Sequence, residues 1–349
     1  MINLQGKKIV LVGGAGFIGH HLALKLSELG AVVHIVDSLQ VNSLLSFTAT
    51  VQEPINRSQY FQFVEQRLGL LRDANIQLHI QDARDYHRIS HLMSQIEPDA
   101  VVLLAAVAHA DRSNKDPMST FDHSLRTLEN TLDAVRGRSS HFVYFSSSMV
   151  YGNFETEVVT EQSACNPLGI YGALKFAGEK IVIAYNQVLK TPYTIVRPSA
   201  LYGERCVSRR VSQIFVENVL QGKEVVVKGD GSDRLDFTYV ADVVQGVVKI
   251  LQNERSKNEI FNLTYGKSRS IAELSELLKR EFPEIKVNFQ ARDALMPERG
   301  TLCVDKARRL IGYEPQFPLE KGFEKYVAWY RSISHLFSKS TQPKLKIAA

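Results

Sequence analysis

The sequence has no run of about 18 apolar residues, so no membrane-spanning helix is expected. It also starts without the basic and then apolar segments of a secretory signal, so we expect no such signal. Cysteine is scarce, and Cys165, Cys206 and Cys303 are odd in number and far apart. Because they form neither a Cys-x-x-Cys pair nor a disulfide framework, a reducing cytoplasmic location is favoured.

Extremes of composition are missing as well. The 349 residues are 44% hydrophobic and 23% charged, which excludes a wholly disordered chain. At about 100–200 residues per domain, this length predicts two lobes or one large α/β unit with an appendage. The net charge of +5 fits a nucleic-acid surface, an anionic small substrate or a basic tail. The sequence has no basic stripe with interleaved aromatic residues, which argues against nucleic acid as a partner. Lysines in the polar segment 336–349 indicate a flexible basic tail.

Short apolar runs alternate with helical patterns in the first half of the chain. Strand-like runs occupy 8–12, 32–36, 77–81, 100–106, 141–146 and 193–197. These runs are apolar on both faces, as is typical of strands covered by helices on both sides. An amphipathic helical pattern over 17–29 ends at Gly30. The alternation therefore predicts an α/β fold built on a doubly wound parallel sheet.

The alternation becomes irregular after residue 198. A helical pattern at 211–221, two strands around a Gly-rich turn within 222–240 and an amphipathic helix at 319–330 indicate a smaller C-terminal lobe. Near the N-terminus, residues 57–73 have a helical pattern, which leaves 38–56 as a loop. That loop is longer than the usual connections of about 2–6 residues in such folds, and the sequence leaves its role open.

A glycine-rich turn joins the first strand to the first helix. Gly13 permits the tight turn, Gly16 lets the backbone approach a pyrophosphate, and Gly19 lets the helix pack close to the strand. Phe17 and Ile18 lie between these glycines and open the helix. The helix N-terminus then presents free N–H groups and the positive end of its dipole to phosphates. This arrangement predicts the dinucleotide site of a Rossmann-type sheet.

A carboxylate at the end of the second strand supports the same site. Asp37 stands where it can accept hydrogen bonds from the adenosine ribose hydroxyls. It would repel a 2′-phosphate, and no Arg or Lys follows from Ser38 to Asn42, so NAD is favoured over NADP. After the third strand, Asp82 and Ala83 can reach the adenine edge, although a solvated loop carboxylate explains Asp82 equally well.

Acid–base chemistry is indicated by Tyr171 and Lys175. Their spacing of four residues puts both side chains on one helix face. A nearby ammonium, helped by a positive nicotinamide ring, favours the phenolate and lowers the pKa of the tyrosine. The hydroxyls of 146–148, at a strand end, can hydrogen-bond the reacting oxygen. A solvated Tyr–Lys pair is the alternative, and the other two motifs argue against it.

Residues 7–332 resemble the extended short-chain dehydrogenase/reductases, specifically the NAD-dependent nucleotide-sugar epimerase/dehydratase group. The motifs that carry the resemblance follow the family's order: GGAGFIG at 13–19, LLAAVAHADRS at 103–113, SSSMVYG at 146–152, YGALK at 171–175, RPSALYG at 197–203, GDGSDRLDFTYVAD at 229–242 and PERGTLCVDKARRLIGYEP at 297–315. The resemblance implies that Ala105 and Ala106 also contact NAD, and it implies a homodimer.

Roles for individual residues follow from this resemblance. Tyr171 would be the general acid/base on a sugar hydroxyl, Lys175 would bind the nicotinamide ribose and tune that tyrosine, and Ser147 would be the catalytic hydroxyl. Arg234 and Arg299 would contact the nucleotide diphosphate, since a guanidinium bonds a diphosphate bidentately and stays charged. A surface ion pair is the alternative for each arginine. The remaining expected substrate contacts are His109, Ser148 and Arg209.

Three departures from the family limit what the resemblance implies. Ser148 and Met149 replace the Asp-Glu pair of sugar 4,6-dehydratases, which argues against 4,6-dehydration and also against decarboxylation. Ala200 replaces an asparagine that contacts the substrate phosphate in many relatives, so the diphosphate is held differently or the nucleotide differs. Cys206, Arg209 and Arg210 follow the same element. Each arginine can bind a phosphate or a sugar carboxylate, or it can be solvated. Cys206 is interpreted as a small buried residue rather than as an acid/base group.

The sequence therefore predicts an NAD-dependent epimerase of a nucleotide-diphosphate sugar, acting at C4 through a transient 4-keto intermediate. A net NAD-dependent reductase or dehydrogenase of a sugar nucleotide or other alcohol is the first alternative, and a non-catalytic NAD-binding protein is the second. No metal site is expected. Residues 1–197 would form mainly the NAD-binding domain and 198–335 mainly the substrate-binding lobe, with segments exchanged between them.

Overall fold

The computed structural model describes residues 1–40, 57–106, 110–292 and 296–337. Most of the 38–56 loop, His109 and most of the 336–349 tail therefore lie outside the described residues. Among the residues that are described, no helix has both the length and the apolar character needed to cross a bilayer.

The strands are short and numerous. In chain order they are β1 (Lys8–Val12), β2 (Val32–Asp37), β3 (Gln77–Ile80), β4 (Ala100–Leu103), β5 (His141–Phe145), β6 (Val158–Val159), β7 (Tyr193–Arg197), β8 (Leu201–Tyr202), β9 (Val225–Lys228), β10 (Arg234–Leu235), β11 (Thr238–Tyr239), β12 (Glu259–Asn262), β13 (Arg269–Ser270), β14 (Val287–Gln290) and β15 (Thr301–Leu302). Seven of them form the central sheet in the order β12-β7-β5-β4-β1-β2-β3, and the others pair in twos.

The helices alternate with the sheet strands in the first half. In chain order they are α1 (Phe17–Glu28), α2 (Arg57–Asp73), α3 (Tyr86–Ile96), α4 (Ala110–Lys115), α5 (Pro117–Phe121), α6 (Thr127–Ala134), α7 (Gly169–Leu189), α8 (Val211–Leu220), α9 (Val240–Leu251), α10 (Ile271–Glu281), α11 (Asp305–Ile311) and α12 (Leu319–Ser332). Three of them begin with side-chain caps: Asp85 accepts from the Arg88 N–H at α3, Asp116 accepts from the Ser119 N–H at α5, and Ser270 forms a capping box with Glu273 at α10.

Every pairing in the central sheet is parallel, which confirms the predicted fold class. Successive side chains of a strand point to opposite faces of the sheet, so they pack in two different hydrophobic cores. In β1, Ile9 and Leu11 pack in a core with residues of α1 and α9, whereas Val10 and Val12 pack on the opposite face with residues of α3 and α6. Both faces of the strand are therefore buried, which explains why these runs are apolar throughout.

The register brings the carboxyl ends of the central strands to one edge. Val12 pairs with both Val36 and Leu103, and Leu103 pairs with Tyr144. The loops that follow β1, β2, β4 and β5 consequently emerge side by side. Open parallel sheets bind their ligands at this edge.

A third core lies outside the sheet, in the C-terminal part of the chain. Phe215, Phe237, Phe323 and Tyr330 are buried there, together with Phe63 from α2. Residues after 198 also return to the sheet, because β12 pairs with β7 and α9 packs against α1. Residues after 198 thus contribute to the sheet itself, and the division into two lobes at residue 197 with exchanged segments stays a prediction.

The sequence located most of these elements to within a few residues. The run 77–81 ends one residue early at Ile80, and 100–106 forms a strand only as far as Leu103. The helix over 57–73 is confirmed at both ends. The seventh strand, β12, was not predicted because it is brief and follows an irregular stretch, so the pattern around it does not alternate.

A buried ion pair joins α7 to the end of β7. Arg197 donates from Nη2 to Oε2 of Glu179 at 2.6 Å and from Nε to Oε1 at 2.9 Å, and the side chains are 3% and 1% exposed. The Ser146 hydroxyl also donates to Oε1 of Glu179, at 2.5 Å, and Nη1 of Arg197 donates to the Tyr151 hydroxyl at 3.0 Å. These bonds hold α7, β7 and the end of β5 in one fixed arrangement.

We expect Glu179→Gln to lower the free energy of unfolding by about 3–5 kcal/mol, because it leaves the Arg197 charge buried without its counter-charge. Denaturant titration followed by circular dichroism measures the loss. The double variant Glu179→Met with Arg197→Met removes both charges and should lose less than the single variant. An equal or greater loss in the double variant would contradict this account.

Candidate active site

A cavity of about 340 Å³ opens at the carboxyl edge of the sheet. The cavity is lined by the residues of the glycine turn and of the strand ends that were expected to contact the dinucleotide. They are Gly13, Gly16, Phe17, Ile18, Gly19, Asp37, Ser38, Asp82, Ala83, Ala105 and Ala106. The first turn of α1 begins at Gly16, which provides no side-chain hydrogen bond to the helix amides. Those amides and the helix dipole are therefore directed toward an anion in the cavity.

Two glycines of the turn permit close packing around this cavity. At Gly13, whose φ is +81°, an added Cβ would lie 2.6 Å from the backbone nitrogen of Ala105. At Gly19, it would lie 2.5 Å from the Cα of Gly14. A side chain at either position would displace backbone, so the turn can approach a dinucleotide closely only because both residues are glycine.

Asp37 is held by the backbone around it. The N–H of Ala15 donates to its Oδ2 at 3.1 Å, and the N–H of Leu39 donates to its Oδ1 at 2.8 Å. The side chain is buried and faces the cavity. A fixed carboxylate at the end of β2 fits the ribose hydroxyls of NAD and disfavours a 2′-phosphate.

Asp82 lies at the cavity and is bound by a neighbouring arginine. It lines the cavity, and it also accepts from Arg84, whose Nη2 lies 2.6 Å from Oδ2. This hydrogen bond lowers the pKa of Asp82. Whether it also contacts adenine stays a prediction.

A second cavity, of about 480 Å³, adjoins the first. The two cavities share five lining residues: Ile18, Leu104, Ala106, Leu201 and Arg210. The second is lined by all the described residues expected to act on substrate: Ser147, Ser148, Tyr171, Lys175, Arg209, Arg234 and Arg299. His109, the remaining expected contact, lies outside the described residues.

Ser147 and Tyr171 interact in the larger cavity. Ser147 is buried at the end of β5, and its hydroxyl accepts from the N–H of Met149 at 3.2 Å. Burial raises the pKa of Tyr171, while the positive charge of Arg210 and a hydrogen bond with Ser147 lower it. In the protein without cofactor, burial outweighs these effects, and the cation that lowers the pKa of Tyr171 is Arg210. The lowering expected from Lys175 together with a bound nicotinamide stays a prediction.

Lys175 lies one helical turn from Tyr171 on α7. Its ammonium donates to the Phe145 carbonyl at 2.6 Å and lies 5.1 Å from the ring centroid of Tyr144. Burial lowers its pKa to about 8, an effect that Glu179 opposes. The ammonium is thereby fixed at the end of β5, beside the cofactor cavity, where it can bind a ribose hydroxyl.

The three arginines expected to bind substrate differ in how they are held. Arg234 donates to Ser268 through Nε, at 3.0 Å from the hydroxyl, and through Nη2, at 2.8 Å from the carbonyl. Among the described residues, Nε of Arg299 and Nη1 of Arg209 are buried without a hydrogen-bond partner. Burial also lowers the pKa of Arg299 to about 10. Buried guanidinium groups with open donors are suited to an anionic ligand.

The sequence did not identify the contacts that close the cofactor cavity. Arg67 of α2 lines the cavity and donates through Nε to the Arg205 carbonyl at 2.9 Å. Arg205 donates in turn to Nε2 of His20 at 3.0 Å, and Nδ1 of His20 donates to the Gly16 carbonyl at 2.9 Å. These bonds tie the glycine turn to the segment after β8. No local signal reveals them, because Arg67 and Arg205 are 138 positions apart.

The glycine turn yields a test with a matched control. Gly13→Ala should lower NAD affinity at least tenfold, about 1.4 kcal/mol, because its Cβ would push the turn and Ala105 apart. Gly137→Ala has a similar positive φ of +70° but nothing within 4 Å of the added Cβ, so it tests the backbone cost alone. Calorimetric titration with NAD measures both variants, and equal losses of affinity would contradict the steric explanation.

The burial of two neighbouring histidines, His20 and His21, leads to a prediction of how the free energy of unfolding depends on pH. Burial keeps the pKa of His20 well below 6.5 and lowers that of His21 to about 3. Below pH 6.5 the unfolded chain binds protons that the folded protein does not, so stability falls as the pH decreases. Each such histidine should contribute about 1.4 kcal/mol per pH unit.

His21→Gln tests this contribution. The Gln amide nitrogen can replace Nε2 of His21, which lies 3.3 Å from the Glu204 carbonyl oxygen, but it does not titrate. The pH dependence of unfolding between pH 6 and 5 should become shallower by about one proton. His91→Gln, on the exposed side of α3, is the control for the substitution itself. An unchanged slope in His21→Gln would exclude His21 as a source of the effect.

Comparison with known proteins agrees with this geometry. Residues 9–264 match the model of the NAD dependent epimerase/dehydratase family. The chain is 26% identical over 340 residues to dTDP-D-glucose 4,6-dehydratase of Mus musculus, with 94% of this chain and 90% of the relative covered. It is also 26% identical over 364 residues to UDP-glucuronate 4-epimerase 1 of Arabidopsis thaliana, with 97% of this chain and 80% of the relative covered.

The same similarity is found among solved structures. The crystal structure of a UDP-glucose 4-epimerase from Thermotoga maritima, with UDP-glucose, superimposes with a TM-score of 0.79 at 27% identity, covering 93% of this chain and 99% of that one. The glycine turn and Asp37 fit NAD, which is the cofactor of the family. On its sequence, fold and site, the chain belongs to the NAD dependent epimerase/dehydratase family of extended short-chain dehydrogenase/reductases.

Proposed function

We propose that this protein is an NAD-dependent epimerase that inverts C4 of a nucleotide-diphosphate sugar. One observation carries the proposal: Ser147, Tyr171 and Lys175 line one arginine-rich cavity, and that cavity adjoins the dinucleotide cavity and shares lining residues with it. A sugar at this junction has its reacting carbon beside the cofactor and its diphosphate among cations. The names of the Thermotoga maritima and Arabidopsis thaliana relatives, both 4-epimerases, support the same reaction.

In this reaction the side chains of the protein transfer one proton and hydrogen-bond one oxygen of the sugar. Bound NAD supplies a reversible hydride acceptor. The Tyr171 oxygen takes the proton of the C4 hydroxyl and returns it after the 4-keto sugar has turned its other face toward the cofactor. Ser147 hydrogen-bonds the reacting oxygen throughout, as a preorganised donor. Lys175 holds the nicotinamide ribose and contributes positive charge near the phenolate.

The pKa of Tyr171 suits a group that must both accept and donate. Burial favours the neutral phenol, which is the form needed to return the proton. Arg210 and Ser147 favour the phenolate, which is the form needed to remove it. A positive charge added beside the ring on cofactor binding moves this balance toward the phenolate.

The surroundings of Ser147 argue against the dehydratase reaction of the mouse relative. Met149 follows Ser148 where the dehydratases have a carboxylate, and its sulfur lies 3.9 Å from Nη1 of Arg299. A thioether cannot transfer a proton, so no group at this position eliminates water from the sugar. The homodimer remains a prediction from the family resemblance, and the cytoplasmic location remains a prediction from the cysteine content.

Tyr171→Phe tests the proposed acid/base. It should lower the turnover number at least about 100-fold while leaving NAD bound, because only the phenolic oxygen is lost. Tyr185→Phe changes the same residue type in the same helix, away from both cavities, and should leave turnover unchanged. Turnover is measured by NMR detection of the second epimer, and NAD by its absorbance in released extract. Unchanged turnover in Tyr171→Phe would remove this residue from the mechanism.

The reaction class needs a separate measurement. Purified protein incubated with UDP-, dTDP-, GDP- and CDP-sugars should form stereoisomers without net production of NADH. Steady NADH production from one of these compounds, without an epimer, would instead identify a dehydrogenase.

A further inference from the structure

We propose that Asp236 is a positioning residue for the substrate: its buried carboxylate fixes the spacing between Arg234 and Arg299, and this spacing sets the affinity for the nucleotide diphosphate. The inference rests on the proposed function, because it takes both arginines to bind the diphosphate. It concerns a residue that acts through others, since Asp236 is not among the described residues that line either cavity.

The carboxylate of Asp236 is enclosed in the C-terminal half of the chain. The residue lies between β10 and β11 and is 0% exposed. Its Oδ2 accepts from the Thr264 hydroxyl at 3.0 Å and from the Leu302 N–H at 3.2 Å, and its Oδ1 accepts from the Gly266 N–H at 3.2 Å. These donors are uncharged, and burial raises the pKa of Asp236 to about 6 while the hydrogen bonds lower it. Burying this group is costly, so its contribution is the fixed geometry of its hydrogen bonds.

One of these hydrogen bonds reaches the chain beside Arg299. Arg234 stands two positions before Asp236, and Leu302 comes three positions after Arg299. The bond from the Leu302 N–H therefore joins the backbone that carries one arginine to the backbone that carries the other. The strand β15, which includes Leu302, also pairs with β6, so the segment after Arg299 is held on both sides.

A second connection between the arginines runs through Ser268. This residue follows Gly266, which Asp236 holds, by two positions. The Arg234 guanidinium donates to the Ser268 hydroxyl at 3.0 Å and to its carbonyl at 2.8 Å. The Ser268 N–H donates in turn to the Thr301 hydroxyl at 3.0 Å. The side chain of Arg234 is thus fixed against the same two segments that Asp236 joins.

The spacing of the arginines matters because of the shape of the ligand. The two phosphates of a nucleotide diphosphate share a bridging oxygen, so their separation varies little. Arg234 and Arg299 both line the larger cavity, and two guanidinium groups can bind both phosphates at once only if their own separation matches. Side chains that are already in place also avoid the entropy cost of ordering on binding. Loss of the Asp236 carboxylate should therefore reduce affinity and leave the groups at C4 intact.

Asp236→Asn tests this role. The amide has nearly the same size, but it has one accepting oxygen where the carboxylate has two. The NAD-loaded protein is titrated by calorimetry with UDP, dTDP, GDP and CDP, and the compound that the wild-type protein binds most tightly is the probe. The variant should bind this probe at least about tenfold more weakly, with unchanged affinity for NAD. In turnover assays KM should rise by the same factor while kcat stays within about twofold of the wild-type value.

Asp242→Asn is the matched control. Asp242 of α9 is 1% exposed, and its carboxylate accepts from the N–H groups of Gln316 at 2.7 Å and Phe317 at 3.1 Å. Burial raises its pKa as well. It is also absent from the described lining of both cavities, and its hydrogen bonds join α9 to the chain before α12. The control should lose similar stability in denaturant titration but should bind the probe as tightly as the wild-type protein.

Thr264→Val is a milder change at the same carboxylate. It removes one of the donors to Oδ2 and preserves the volume of the side chain. The probe should bind at least about threefold more weakly, as expected for the loss of one buried hydrogen bond. This variant provides the test if Asp236→Asn does not fold.

The possible results lead to distinct conclusions. Unchanged affinity for the probe in Asp236→Asn or in Thr264→Val overturns the inference. Equal losses of probe affinity in Asp236→Asn and Asp242→Asn, or an equal loss of NAD affinity, also overturn it, because they indicate a general disturbance of the fold. If the wild-type protein binds none of the four compounds, the inference and the proposed function both fail. If the variants lose affinity as expected but NMR detects no epimer with any sugar nucleotide, the epimerase function fails and the positioning role of Asp236 stands.

Discussion

The buried pair of Glu179 and Arg197 is the contact on which the active site depends. Glu179 belongs to α7, the helix that carries Tyr171 and Lys175, and Arg197 ends β7 in the central sheet. The same carboxylate accepts from Ser146, directly before Ser147. One desolvated ion pair thus sets the distance between the helix that carries Tyr171 and Lys175 and the strand end that carries Ser147. Such a pair adds little net stability, but it permits only one geometry, because any displacement leaves a charge unpaired in the interior.

Local sequence was sufficient for six of the seven strands of the central sheet and for most of the expected residues that line the two cavities. β1, β2 and β5 are apolar on both faces, so their period and length identified them without tertiary information. Asp37 and the glycine turn were recognised because their chemistry depends on spacing along the chain. Tyr171 and Lys175 share a helix face for the same reason. The members of each motif are close together in the sequence, so their relative positions can be predicted from their spacing along the chain.

Long-range contacts could not be predicted in this way. The seventh strand, β12, owes its place to β7, from which it is separated by two helices and several short strands. Arg67 reaches the cofactor cavity from α2 through a contact with Arg205 that no spacing rule anticipates. The effects of burial and of Arg210 on the pKa of Tyr171 were not anticipated, because Arg210 comes from another part of the chain. In each case the missing information was the packing of distant segments.

The hydrogen bonds that join Arg67, Arg205 and His20 to the glycine turn also bear on how the cofactor is kept. The segment after β8 forms one wall of the dinucleotide cavity through Leu201, Val207, Ser208 and Arg210. Because these hydrogen bonds hold that wall to the glycine turn, moving it away breaks contacts between segments that are far apart in the chain. An enzyme that returns its cofactor to the starting oxidation state in every cycle gains nothing from exchange. A wall held in this way favours keeping the same dinucleotide from one cycle to the next.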